Sequence, residues 1–135
     1  MGFNQIEIGQ SASMERVITE TDIEAFAALT GDENPLHLDE QFAKATRFKA
    51  RIAHGFLVAS MISAILGNVL PGAGTIYLSQ TLKFERPAYI GDTIRAQVQV
   101  AEKIPRNAIR LTTQCVNQHN QTVLSGEAVV LVDSK

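Results

Sequence analysis

The sequence predicts an α+β domain in which one antiparallel sheet curls round a single buried helix. Three observations carry this: a stretch from Gly55 to Leu82 without any charged residue, strand-like alternation through most of the chain beyond Thr75, and helix signals concentrated before it. Helices first and consecutive antiparallel strands after is an α+β plan. At 135 residues the chain has the size of one domain, and no internal repeat or low-complexity segment divides it, so residues 1–135 are expected to form a single unit.

The first element is announced by Thr21-Asp22-Ile23-Glu24, a capping box in which hydroxyl and carboxylate satisfy free amides of a helix start. Ile23, Phe26, Ala27 and Leu29 keep to one face of that helix, and Gly31 suits the left-handed residue that ends it. Asp32-Glu33-Asn34-Pro35 then reads as a turn cluster whose proline restricts Asn34 to extended geometry, and Asp39 can cap a short helix through Phe42 and Ala43. The run Phe56 to Leu66, interrupted only by Ser60 and Ser63, comes after His54-Gly55 and stops at Gly67, Asn68 and Pro71-Gly72. It is about half of the roughly 20 residues needed to cross a bilayer, so it reads as a central helix buried in protein. Having no polar face, it should be covered on every side by the rest of the chain.

That rest reads as strands. Ile76, Leu78, Leu82 and Phe84 alternate with Tyr77, Ser79, Thr81, Lys83 and Glu85, which predicts one half-buried strand. After a Gly91-Asp92 turn, Ile94, Ala96, Val98 and Val100 alternate with Arg95, Gln97 and Gln99. Pro105-Arg106-Asn107 and Asn117-Gln118-His119-Asn120 punctuate two further strands, about Ile109 to Val116 and about Val123 to Val132.

Composition narrows the function. Twelve basic and 14 acidic residues are scattered to a net charge of −2, leaving no basic stripe for a phosphate backbone, so nucleic acid is not an expected partner. The start, Met1 to Glu7, has neither a basic nor an apolar leader region, which makes the cytoplasm the expected compartment. A single cysteine, Cys115, forms no internal disulfide and no metal motif, and is expected to be a small apolar residue on a strand.

Chemistry concentrates in two places. Asp32 and His37, five positions apart in a loop between helices, are complementary proton carriers, as water addition to an activated double bond requires. An Asp after a helix-ending Gly also completes turns, so spacing alone leaves both readings open. The second place is Gly55, whose amide at a helix start could face an oxygen gaining negative charge. It could equally be a tight helix entry with His54 an ordinary loop residue beside it. Ser60 and Ser63 share a face of the central helix, where serines often bond back to a carbonyl. Lys44, Arg47, Lys49 and Arg51 form a basic cluster that is either a solvated face or a receiver for carrier phosphates, and His119 falls in an expected hairpin turn.

The run Phe26-Ala27-Ala28-Leu29-Thr30-Gly31-Asp32-Glu33-Asn34-Pro35-Leu36-His37 resembles the hydratase motif of the MaoC-like, (R)-specific enoyl-CoA hydratases. The likeness continues through Ile52 to Phe56, Pro71 to Tyr77, and Phe84-Glu85-Arg86-Pro87 to Gly91-Asp92, and so spans nearly the whole chain. In length and spacing the chain is similar to short bacterial members that supply (R)-3-hydroxyacyl-CoA from fatty-acid β-oxidation for polyhydroxyalkanoate synthesis. The resemblance implies a hot-dog fold and a homodimer with the active site near its interface. It implies that Asp32 and His37 bind the water that adds to C3 of a trans-2-enoyl thioester while a proton reaches C2 on the same face. It assigns Asn34 to holding loop or water, the Gly55 amide to the thioester oxygen, Ser63 to the neighbourhood of the pair, and Leu66 and Val130 to an acyl pocket. No metal or organic cofactor is implied, since the thioester already activates the double bond; coenzyme A arrives with the substrate. Three rivals remain: dehydration of acyl carrier protein substrates, a hot-dog thioesterase directing water at the carbonyl carbon, and a non-catalytic acyl-binding module.

Overall fold

The computed structural model describes residues 1–135. After a short 3-10 turn at Phe3–Gln5 the chain forms β1 (Ser11–Val17), α1 (Glu20–Thr30), α2 (Pro35–Leu38), α3 (Glu40–Lys44) and α4 (Gly55–Asn68). It continues as β2 (Ile76–Gln80), β3 (Lys83–Phe84), β4 (Thr93–Ile104), β5 (Ala108–Val116) and β6 (Thr122–Leu131). The six strands make one sheet in the order β1-β4-β5-β6-β2, with β3 also on β6, and all pairs are antiparallel.

The alternation predicted for β4 holds: Ile94, Ala96, Val98 and Val100 are all buried while their neighbours face outward. The turn before β5 uses positive φ at Arg106 and Asn107, the backbone hand that lets two strands of right-handed twist meet in a tight hairpin. Val58, Met61, Ile62, Ile65 and Leu66 of α4 sink into the concave face of the sheet, and one apolar core runs from Ile6 to Val132. Cys115 lies in it on β5, fully buried, and burial pushes its thiol up to about 12.

Several expectations need correction. The capping box sits two residues upstream: Thr19 is the N-cap of α1 and accepts from the Asp22 amide, while the Asp22 carboxylate accepts from the Thr19 amide. Thr19 has the extended backbone a cap requires, because the chain arrives there from β1 of the sheet. Leu29, expected on the buried face, is 85% exposed; Ile23 and Ala27 alone turn fully inward. The strand expected from Ile76 through Glu85 is split in two, and Ile76, Leu78 and Phe84 are exposed because β2 and β3 lie at the sheet edge, with α4 beneath only part of them. β1 is an element with no counterpart among the expected strands. Finally, α4 is not covered on every side: Phe56, Ser60 and Ser63 form an open flank. No helix is long and apolar enough to cross a membrane.

Candidate active site

The left-handed Gly31 (φ 80°) turns the chain out of α1 and into the loop that carries Asp32. Local side-chain bonds then fold this loop back on itself. The Thr30 hydroxyl donates to the Phe26 carbonyl at 2.7 Å and accepts from the Asp32 amide at 3.2 Å. The Asp32 carboxylate accepts from the Asn34 amide at 3.3 Å, and the Asn34 side-chain oxygen caps α2 by accepting from the Leu36 amide at 3.0 Å. Pro35 starts that four-residue helix, where its missing N–H costs nothing. The segment expected to be irregular thus contains one helical turn, and that turn brings His37 back beside Asp32.

A second segment, Arg51 to His54, braces the loop from outside. Arg51 Nε donates to the His37 carbonyl at 2.7 Å, and its Nη1 pairs with Glu20 at 2.7 Å. His37 Nδ1 lies 2.7 Å from the Ile52 carbonyl, and His54 Nε2 lies 3.0 Å from the Asp32 carbonyl. A carbonyl only accepts, so each of these nitrogens carries the hydrogen. The free lone pair of His37 is therefore on Nε2. Its ring stacks on His54 with centroids 3.9 Å apart. Burial is the largest influence on His37 and lowers its pKa below the ordinary histidine value; positive charge at His54 acts the same way, while the Ile52 bond and the Asp32 carboxylate oppose it. His37 is accordingly neutral at pH 7 and available as a base.

Both residues border a cavity of about 640 Å³. Asp32, His37, His54 and Gly55 form its polar end, and Phe48, Phe56, Phe84 and Val123 supply apolar wall. Gly55 is the first residue of α4, and no group within the chain accepts its amide hydrogen. The amide is thus a donor at the positive end of a helix dipole. Only glycine fits there without displacement: a β-carbon at residue 55 would stand 2.5 Å from Phe84 Cε1.

The structure brings Asp32, His37 and Gly55 to one cavity; Asn34, exposed, does not line it and instead holds the loop through its bonds to Asp32 and Leu36, and the other residues singled out in the sequence lie elsewhere. Ser63 lies on the open flank of α4, lining a shallower depression with Tyr77 and Leu78. Leu66 and Val130 are buried in the core and do not line the cavity of Asp32 and His37. The Ser60 hydroxyl bonds back to the Leu57 carbonyl at 2.6 Å. Arg51 is committed to His37 and Glu20, so of the basic cluster only Arg47 reaches the cavity, where Arg86 joins it. His119 is exposed in its turn, as expected. The residue that sequence reasoning misses is His54, an ordinary loop residue by its neighbours along the chain and in fact 2% exposed between Phe26 and His37.

Asp32, His37 and His54 could each offer a ligand atom within 4.8 Å of one another, the donor types of a transition-metal site. One nitrogen of each imidazole is already spent on a carbonyl, which leaves His37 Nε2, His54 Nδ1 and the carboxylate.

The family model described as "MaoC like domain" matches residues 3–122. The chain belongs to this family. Among MaoC-like relatives it is 46% identical to the "(R)-specific enoyl-CoA hydratase" of Rhodospirillum rubrum, covering 98% of this chain and 92% of the relative. It is 46% identical to the "3-hydroxybutyryl-CoA dehydratase" of Methylorubrum extorquens, over 98% of this chain and 85% of the relative. The solved structure of the unliganded R-hydratase PhaJ1 from Pseudomonas aeruginosa superposes with a TM-score of 0.95 at 45% identity, covering 99% of this chain and 86% of that one. The curled sheet and central α4 are the hot-dog fold of these MaoC-like proteins.

Proposed function

We propose that the chain is a hydro-lyase that adds water reversibly to trans-2-enoyl-CoA, giving (R)-3-hydroxyacyl-CoA. The observation that carries this reading is His37, held by the Ile52 carbonyl with Nε2 free, in one cavity with the Asp32 carboxylate and with a Gly55 amide that no group of the chain accepts. A water held between Nε2 and the carboxylate has both hydrogens accepted. As its oxygen bonds to C3, the C2–C3 π pair moves toward the thioester oxygen, where the Gly55 N–H receives the charge. The water proton passes to His37 Nε2, since an imidazole is ordinarily a stronger base than a carboxylate, and from there to C2 as the enolate collapses. Hydrogen and hydroxyl arrive on one face and the enzyme returns to its starting state. A lost oxyanion donor typically costs about 3 kcal/mol of transition-state stabilisation, so the amide is a major part of the machinery.

Every proton is carried by a side chain and the carbonyl supplies the activation, so the reaction as proposed uses no metal or organic cofactor; coenzyme A enters as part of the substrate. Its product is the monomer class polymerised in polyhydroxyalkanoate synthesis, the fate we assign to it, in the cytoplasm. Arg47 and Arg86, the two cations that line the cavity, are the residues we assign to the carrier's phosphates.

A homodimer belongs to the same proposal. β2 is an unpaired edge with Ile76, Tyr77 and Leu78 exposed, and beside it lies the open flank of α4; a second copy adding its own β2 would cover both. Ser63 would then face the junction.

The decisive experiment incubates purified protein with crotonyl-CoA and resolves the products by chiral chromatography. (R)-3-hydroxybutyryl-CoA is expected. The (S) alcohol, or free coenzyme A without hydration, would overturn the assignment, the latter in favour of a thioesterase. Parallel assays with the acyl carrier protein thioester identify the carrier, with faster turnover of the coenzyme A substrate expected.

A further inference from the structure

We propose that His54 is a positioning residue, whose single ring holds both proton carriers in register. The inference rests on the hydratase reading and adds a residue to it. Nε2–H of His54 bonds the Asp32 carbonyl at 3.0 Å, and the same ring stacks on the His37 imidazole at 3.9 Å between centroids. Its other side meets Phe26 at 4.8 Å, so the ring is clamped between α1 and α2 and is 2% exposed. One side chain therefore fixes the backbone of one proton carrier and the ring plane of the other. A Leu or Phe would fill the volume as well, but neither could bond the carbonyl.

The second nitrogen points the same way. His54 Nδ1 is buried without a hydrogen-bond partner, an uncommon arrangement that calls for a reason. A residue selected for packing would not carry an unpaired polar atom into the core; one selected for its Nε2–H and its flat face must. The titratable and charged groups that share the cavity with it are Asp32 and His37 on the loop, with Arg47, Glu85 and Arg86. No atom of His54 is needed to touch the substrate for this role.

Substitutions separate the two functions of the ring. His54→Phe keeps the stack and loses the donor; His54→Gln keeps an amide donor at comparable reach and loses the stack. With crotonyl-CoA, His54→Phe is expected to lower kcat by about tenfold or more with KM changed less than about threefold, because misplaced groups cost rate before they cost binding. His54→Gln is expected to recover part of that loss. Both variants remove an imidazole that opposes protonation of His37, so the acid limb of their pH–rate profiles moves to higher pH. Variants that fold, melt near the wild-type temperature and keep both kcat and the acid limb overturn the proposal. If neither folds, nitrogen NMR of the wild-type protein decides: Nε2–H on His54 together with Nδ1–H on His37 supports the arrangement, and the opposite tautomer at His54 overturns it. Wild-type protein inactive on every enoyl thioester would instead refute the hydratase reading, an outcome distinct from these.

Discussion

The two flanks of α4 are built on opposite terms. One packs Val58, Met61, Ile62 and Ile65 into the sheet, and at its head meets a loop tied to the rest of the chain through His37, Arg51 and His54. The other presents Phe56, Ser60 and Ser63 beside the unpaired edge strand β2, with little of the chain over it. The positions of Asp32 and His37 are thus set by bonds within one chain, whereas the outer side of the helix is left open.

The loop is where this contrast is most exposed to experiment. Asp32→Asn and His37→Gln should each lower kcat by about 10²–10⁴-fold while circular dichroism and melting stay near wild type; a variant at wild-type rate would falsify the proposed mechanism. Next in size is the contrast across the helix. Ile62→Ala, at a fully buried position, should cost about 2–5 kcal/mol in denaturant unfolding. Ser63→Ala, on the exposed flank, should change stability by no more than about 0.5 kcal/mol. If both cost alike, the flanks are not distinct. At the edge, Leu78→Lys puts a charge on the exposed strand and should shift sedimentation from dimer toward monomer; an unchanged dimer would place the second copy elsewhere. The smallest effect is in pH. Because burial holds His37 below the ordinary histidine value, its neutral form persists to lower pH, and the acid limb of kcat/KM should fall below about 6.5. A limb above that value would mean His37 is not the buried base described.

How far the sequence reaches depends on how local each signal is. α4 and β4 to β6 are legible because an uncharged apolar run and strict alternation between turn residues depend only on neighbours along the chain. β1 is harder to read, since its alternation rests on only two inward residues, Ala12 and Met14, both partly buried, and ends before Arg16 and Val17. Leu29 misleads for a related reason: helical spacing names a face, but only the rest of the fold shows how wide the covered part is. At the site, Asp32 and His37 stand out as a motif. The role of His54 does not, because Phe26, the Asp32 carbonyl and the His37 ring converge on it only after folding. Arg51, one of a basic cluster along the chain, turns inward for the same reason.

The contact of Gly55 with Phe84 makes the two positions a single heritable unit. Phe84 rides on the short strand β3, so the residue permitted at the head of α4 depends on a side chain from another part of the sheet. A change to Ala at residue 55 meets the ring; trimming Phe84→Ala first removes the obstacle. In a double-mutant cycle the pair should therefore cost less than the sum of the single changes. Alterations of the cavity mouth would then have to arrive in a particular order, with the bulky neighbour yielding before the helix entrance can accept any side chain.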